Sequence, residues 1–115
     1  MLNIVIDDIE GDLEEFLYFM EDKADEQENK GEFKVTPKFQ TDEKSLGAEI
    51  TEIILSGINV LIPLIIFWLE SKQKQEKKGN IKFKARIKKG DKTFNVGGNS
   101  LTLEEIKEIL ESATE

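Results

Sequence analysis

The 115-residue chain contains no cysteine and no histidine, and it has only one tryptophan and one tyrosine. Without cysteine it can form no disulfide, no thiolate nucleophile and no cysteine-ligated zinc site. Without histidine it lacks the usual general base, metal ligand and physiological pH switch. Carboxylates, lysine, serine and tyrosine remain, so the composition argues against an enzyme. We predict no catalytic, cofactor-binding or metal-binding residues and no small-molecule substrate.

Charge is abundant and unevenly distributed along the chain. The net charge is −8, made up chiefly of −10 in residues 1–50, +7 in residues 70–96 and −4 in residues 97–115. This separation suggests complementarity to a partner or to another copy, although a solvated charged surface explains it equally well. The start, MLNIVIDDIE, has no basic region and no cleavage site of a secretory signal, which predicts a cytoplasmic protein.

Residues 1–41 are predicted to form an acidic β-α-β half of the chain. Leu2, Ile4 and Ile6 alternate with Asn3, Val5 and Asp7, which indicates a short strand. Asp12 is placed as the N-cap of the following helix, with a glutamate three residues later as in a capping box. A second alternating segment contains Pro37, which lacks an N–H group, so this strand should lie at an edge or carry a bulge.

Residues 42–76 are predicted to form one long central helix that is kinked at Pro63. Its apolar part, Ile53 to Leu69, just reaches the minimum length that spans a bilayer, and a lysine cluster follows it. A helix that is apolar all round can instead be the buried centre of a small domain. Both alternatives stay open, and anchorage in or near the inner membrane is the second of them.

An overhanging end of this helix would expose an apolar surface for an effector or for a second copy. The residues predicted for this surface are Phe67, Trp68 and Leu69, together with the stripe Ser56, Asn59 and Pro63.

Residues 80–113 are predicted to form a β-hairpin and a C-terminal helix. Apolar and basic residues alternate up to a Gly-Asp turn, so one face of the hairpin is buried and the other basic. The basic side chains could dock an acidic protein or anionic headgroups, or they could guard a sheet edge against aggregation. No nucleic acid is expected, because the aromatic residues alternate onto the opposite face. The predicted basic docking face consists of Lys82, Lys84, Arg86 and Lys88.

Together these patterns predict one α+β domain over residues 1–115. Its elements follow the order β-α-β-α-β-β-α, with a small mixed sheet of about four strands around the long central hydrophobic helix.

The second half of the chain is similar to the C-terminal half of effector-associated constant component domains from bacterial conflict systems. The similarity comprises an apolar helix ending in a Trp-Leu step, a basic run, a strand pair with a Gly-Asp turn and a short helix. It rests on Trp68-Leu69, Lys72 to Lys78, Ile81 to Lys88, Gly90-Asp91 and Leu103 to Leu110. The resemblance implies a non-enzymatic adaptor that sits beside an effector in an antiviral defence system.

The leading hypothesis is therefore an adaptor or regulatory component that acts through contacts with an effector encoded nearby or with its own copies. Two alternatives remain at this point. One is a membrane-anchored protein that inserts residues 53–69, and the other is a small acidic inhibitor or immunity protein.

Overall fold

Five strands and three helices make up the part of the chain that the structure, a computed structural model, describes. This part comprises residues 2–26, 33–41, 48–57, 60–77 and 79–114. In chain order the elements are β1 (Leu2–Ile9), α1 (Leu13–Asp25), β2 (Phe33–Thr41), β3 (Ala48–Gly57), α2 (Leu61–Glu76), β4 (Asn80–Lys89), β5 (Lys92–Thr102) and α3 (Leu103–Thr114). The predicted α+β class is confirmed.

The five strands form one sheet in the order β2-β3-β1-β4-β5. Every neighbouring pair is antiparallel, so the prediction of a mixed sheet of about four strands is wrong for the described residues. The helix α1 connects β1 to β2 across β3, and α2 connects β3 to β4 across β1. This is the arrangement of the split βαβ, or ferredoxin-like, motif, here extended by β5 and α3.

The hydrophobic core lies between one face of the sheet and the three helices. β1 and β4 contribute fully buried side chains such as Ile4, Ile6 and Phe83, and the helices cover them with Phe16 and Leu69. The hydrophobic effect holds the two layers together, because each sheet face or helix stripe removes its apolar surface from water only against another element.

Two β-bulges decide which side chains of the central strands reach this core. Asp7 is the extra residue in β1 opposite β4, and Thr51 is the extra residue in β3 opposite β2. An extra residue shifts the alternation of side chains by one position. Ile6 and Ile9 therefore both face the helices although they are three residues apart, and the bulge at Thr51 has the same effect in β3.

The predicted central helix over residues 42–76 is wrong, because residues 48–57 form strand β3 and the helix begins at Leu61. Residues 42–47 and 58–59 lie outside the described residues. The error has a physical cause: Thr51 sets Ile50 and Ile53 three residues apart on one face, and this spacing imitates a helix.

The helix α2 is therefore shorter than predicted, and the position of Pro63 in it requires no kink. Pro63 is the third residue of α2, in the first turn, where backbone N–H groups have no intrahelical acceptor in any case. Sixteen helical residues span roughly 24 Å, which removes the predicted overhang. No helix in the described part of the chain is long and apolar enough to cross a bilayer.

A junction at Glu10 connects the end of β1 to β4 and to α2. The Glu10 N–H donates to the Lys82 carbonyl oxygen at 2.7 Å, and the Glu10 Oε2 accepts from the Lys82 N–H, also at 2.7 Å. The Glu10 carbonyl oxygen accepts a 2.9 Å hydrogen bond from the Trp68 indole N–H. Glu10 is buried, and these bonds provide partners for groups that would be costly to bury alone.

Gly11 permits the close approach of α2 to this junction. Its φ angle is +94°, a region that residues with a Cβ atom rarely adopt. A Cβ atom here would lie 3.1 Å from the Lys72 Cε and 3.3 Å from the Trp68 Cζ2. The Lys72 ammonium in turn lies 4.6 Å from the centre of the Trp68 ring and 3.3 Å from the Glu15 carboxylate.

The other predicted helix signals are largely confirmed. Asp12 is the N-cap of α1, and its Oδ1 accepts from the Glu14 N–H at 3.0 Å. The glutamate at position 15 contacts Lys72 instead of completing a capping box. Before α3, Thr102 and Glu105 form the predicted reciprocal capping pair. Strand β2, which contains Pro37, lies at the edge of the sheet, and a bulge interrupts its pairing as expected.

The substitution Gly11→Ala should destabilise the fold by about 1–2 kcal/mol, because alanine is strained at this positive φ angle and crowds Trp68. Urea denaturation followed by the fluorescence of Trp68, the single tryptophan, measures this change. Gly79→Ala is the matched control, since its Cβ would contact nothing and its φ angle is ordinary. Equal stability of the two variants would contradict the assigned role of Gly11.

Candidate functional site

The second face of the sheet is not covered by any helix that the structure describes. All three helices pack on the core face, where the apolar positions of the strands lie. The uncovered face carries the alternate positions of all five strands. We call it the open face. It consists of Lys34, Thr36, Lys38, Glu52, Ile54, Ser56, Asn3, Val5, Asp7, Asp8, Lys82, Lys84, Arg86, Lys88, Thr93, Asn95 and Gly97.

The four predicted basic residues of β4 lie on the open face, in the interior of the sheet. Lys82, Lys84, Arg86 and Lys88 alternate with the buried apolar residues of the same strand. β4 pairs with β1 on one side and with β5 on the other. These side chains therefore do not guard an edge, and the alternative interpretation of the hairpin as a lysine-protected edge does not apply to β4.

Arg86 crosses the open face and is held by two carboxylates. Its Nε and Nη2 donate to Asp7 at 3.1 and 3.0 Å, and Nη2 also donates to Glu52 of β3 at 2.5 Å. The guanidinium therefore spans β1. Val5 of β1, which lies beneath the guanidinium, is only 8% exposed. The hydrogen bond to Asp7 and the charges of both carboxylates raise the pKa of Arg86 above its ordinary value.

The lysines around Arg86 differ in whether an acidic side chain neutralises them. Lys82 contacts Asp8 at 3.6 Å, and Lys38 contacts Glu52 at 3.6 Å. Lys34, Lys84 and Lys88 form no ion pair or hydrogen bond within the part of the chain that the structure describes. Three lysines at separate positions around the face are thus available to an anionic partner.

The centre of the open face is apolar and its surroundings are polar. Val5 pairs with Ile54 on one side and with Arg86 on the other, and Ile54 is half-buried. Next to this row the Ser56 hydroxyl donates to the Asn3 Oδ1 at 2.7 Å. Protein interfaces commonly combine an apolar centre with a polar rim.

The two sides of the molecule carry opposite charge. The open face has six basic and three acidic side chains, a net charge of +3. On the opposite side α1 and α3 together contain nine acidic and two basic residues. The uneven charge of the sequence therefore becomes a separation in space, between the basic sheet face and the acidic helix layer.

The acidic residues near the end of β1 have structural partners. Asp7 binds Arg86, Asp8 contacts Lys82, Glu10 bonds to the Lys82 backbone and Asp12 caps α1. No group of three or more acidic side chains in the described segments is arranged to hold a metal ion.

The predicted apolar surface at the end of the central helix is mostly wrong. Trp68 and Leu69 are buried in the core, at 8% and 0% exposure. Phe67 is 56% exposed and stacks on Phe19 of α1, with ring centres 6.0 Å apart. The Trp-Leu step of the resemblance therefore packs the core, and only Phe67 of this trio is accessible to a partner.

The predicted stripe of Ser56, Asn59 and Pro63 does not exist as one surface. Ser56 lies in β3 on the open face, whereas Pro63 is exposed on α2 in the helix layer. Asn59 lies outside the described residues. The helical spacing that grouped these residues fails because β3 ends at Gly57, before the helix begins.

Sequence reasoning missed the part of the open face that β1, β2 and β3 contribute. In β2, Lys34 follows Phe33 and precedes Val35, and Lys38 lies on the same face as Lys34. This alternation is visible in the sequence. The position of Ile54 beside Val5 depends on β3 being a strand and on its register, which no local pattern gives.

Comparison with models of known protein families, with curated proteins and with solved structures finds no match.

The substitution Arg86→Lys should lower the urea midpoint of unfolding, because lysine cannot reproduce the forked contact with Asp7 and Glu52. Lys84→Met and Lys88→Met are the controls and should leave the midpoint unchanged, since neither lysine has a described partner. If all three variants have the same urea midpoint, the contacts of Arg86 with Asp7 and Glu52 do not stabilise the fold.

Proposed function

We propose that this protein is a non-enzymatic adaptor that binds an acidic protein partner on its open face. The observation that carries the proposal is the row of basic side chains along an interior strand of an uncovered sheet face. Two members of the row, Lys84 and Lys88, have no partner among the described residues, whereas Lys82 and Arg86 are held by acidic side chains of the same face. An acidic partner surface would pair with these two lysines and would cover Ile54, which is only half-buried.

The chemistry of the open face favours protein over nucleic acid as the partner. Nucleic-acid platforms combine basic side chains with aromatic rings on the same surface. Here the open face contains no aromatic side chain among the described residues, and Phe83 of β4 is buried on the core side. The helix layer behind the face is strongly acidic, which would repel a polyanion that extends beyond the sheet.

The partner class follows from the resemblance to effector-associated components of bacterial conflict systems. In such a system the effector supplies the chemistry, and this chain supplies a docking surface. We propose that the acidic partner is an effector encoded near this protein. Contact between copies, with the basic open face of one against the acidic helix layer of the next, is the alternative partner chemistry.

The double variant Lys84→Gln/Lys88→Gln should weaken binding to the neighbouring effector by about tenfold, because it removes two unpaired charges from the docking face. Binding is measured by titration calorimetry with purified proteins at low and high salt. The matched control Lys74→Gln/Lys77→Gln makes the same change in net charge at the end of α2 and should bind like the unmodified protein.

Three results would contradict this proposal. The two double variants could lose the same affinity, which would show a diffuse charge effect. No protein encoded nearby could bind. Finally, the unmodified chain could bind nucleic acid in an electrophoretic shift that Lys84→Gln/Lys88→Gln abolishes, which would assign the open face to a different class of partner.

A further inference from the structure

A separate cleft of about 490 Å³ lies between α1 and the paired strands β2 and β3. It is on the helix side of the sheet, away from the open face. Its apolar lining includes Leu17 of α1 together with Pro37 and Ile50 of the strands. The cleft therefore has an apolar base at the edge of the core.

Two aromatic rings stand at this cleft with much of their surface in solvent. Tyr18 of α1 is 59% exposed and Phe39 of β2 is 54% exposed. Exposed large aromatic side chains contribute little to folding and are common in binding surfaces. Their π faces carry negative electrostatic potential, which attracts cations.

Four acidic residues line the same cleft. Asp12, Glu14 and Glu21 belong to α1 and its N-cap, and Glu49 lies in β3, where its position alternates with Ile50. Glu14 and Glu21 are seven residues apart on α1, roughly 10 Å along the helix axis. No basic side chain is among the described residues that line the cleft. The carboxylates are therefore distributed along a groove, and this spacing suits an extended cationic chain.

One carboxylate is fixed against an aromatic ring. The Tyr18 hydroxyl donates a 3.0 Å hydrogen bond to the Glu14 Oε1. This bond holds a negative charge beside the ring that a cation would contact. The hydrogen bond to Glu14 and its charge also raise the pKa of Tyr18 above its ordinary value of 10.0.

We propose that this cleft binds an arginine-bearing segment of a partner protein. The planar guanidinium can stack on Tyr18 or Phe39 while its N–H groups donate to the surrounding carboxylates, which an ammonium point charge does less well. This binding site goes beyond the function proposed for the open face. It gives the molecule a second docking surface of opposite charge, so that one copy could connect an acidic partner with a basic one.

The first test is a nuclear magnetic resonance titration with a capped Gly-Arg-Gly-Arg-Gly peptide. We expect saturable shifts of the Tyr18 and Phe39 ring signals that weaken as salt is added. The control peptide carries citrulline, the neutral isostere of arginine, at both positions, and it should give no saturable shift. Equal binding of the citrulline peptide, or arginine-induced shifts spread over all acidic surfaces, would overturn the proposal.

Variants of the cleft sharpen this test. Phe39→Leu and Glu14→Gln should each weaken binding of the arginine peptide about two- to fivefold, the size of an exposed cation–π or ion-pair contact. The matched controls Phe94→Leu and Glu104→Gln alter an aromatic and an acidic residue elsewhere and should bind as the unmodified chain does. If cleft and control variants lose the same affinity, the binding is not in the cleft.

Lys84→Gln/Lys88→Gln separates this inference from the function proposed above. These open-face substitutions should leave the peptide titration unchanged. The cleft can therefore bind arginine even if no acidic partner binds the open face. Likewise, an acidic partner can bind the open face even if the cleft binds no arginine.

The titration of Tyr18, the single tyrosine, tests the geometry of the cleft directly. Its phenolate absorbance should appear with a midpoint above pH 10, because Glu14 favours the protonated phenol. Since the folded pKa is raised, this contribution to stability is present below pH 10 and is lost as the pH rises through the raised pKa. Glu14→Gln should lower the midpoint markedly and Glu21→Gln only slightly, and equal effects would contradict the Tyr18–Glu14 contact.

Discussion

The fold depends on the hydrogen bonds at Glu10, where β1, β4 and α2 meet. This buried glutamate bonds to both backbone groups of Lys82, and its carbonyl oxygen receives the indole N–H of Trp68. The bonds end β1 at the point where the chain must turn into α1, and Gly11 makes the turn with a positive φ angle. They also tie α2 to the end of β1, beside the hydrophobic core that joins the three helices to one face of the sheet.

The sequence predicted those elements in which the side-chain alternation is regular. The hairpin β4–β5, the edge strand β2, the N-cap at Asp12 and the capping pair before α3 could all be inferred from local pattern. Strand β3 could not, because the bulge at Thr51 gives its buried residues a helical spacing. Its apolar sequence also continues through two undescribed residues into α2, so no strong polar boundary separates strand from helix. Tertiary pairing with β1 and β2 decides the structure here.

The candidate docking surfaces were predictable to different degrees. The basic row of β4 follows from alternation alone, but its position in the interior of the sheet depends on topology. Arg86 appeared as a free docking residue in the sequence, whereas the structure ties it to Asp7 and Glu52 from two other strands. The cleft beside Tyr18 requires contact between α1 and distant strand residues, which a single sequence does not reveal. Opposite charges on the two layers give the molecule two distinct surfaces.

The account requires that residues 48–57 form a strand between β1 and β2, since this strand builds the middle of the open face. Amide-proton contacts in a nuclear magnetic resonance spectrum of labelled protein test it directly. We expect cross-strand contacts from residues around Leu55 to residues around Ile4 on one side and Val35 on the other, as the register requires. Continuous helical contacts from Glu52 through Gly57 into α2, without cross-strand contacts, would contradict the fold and the open face together.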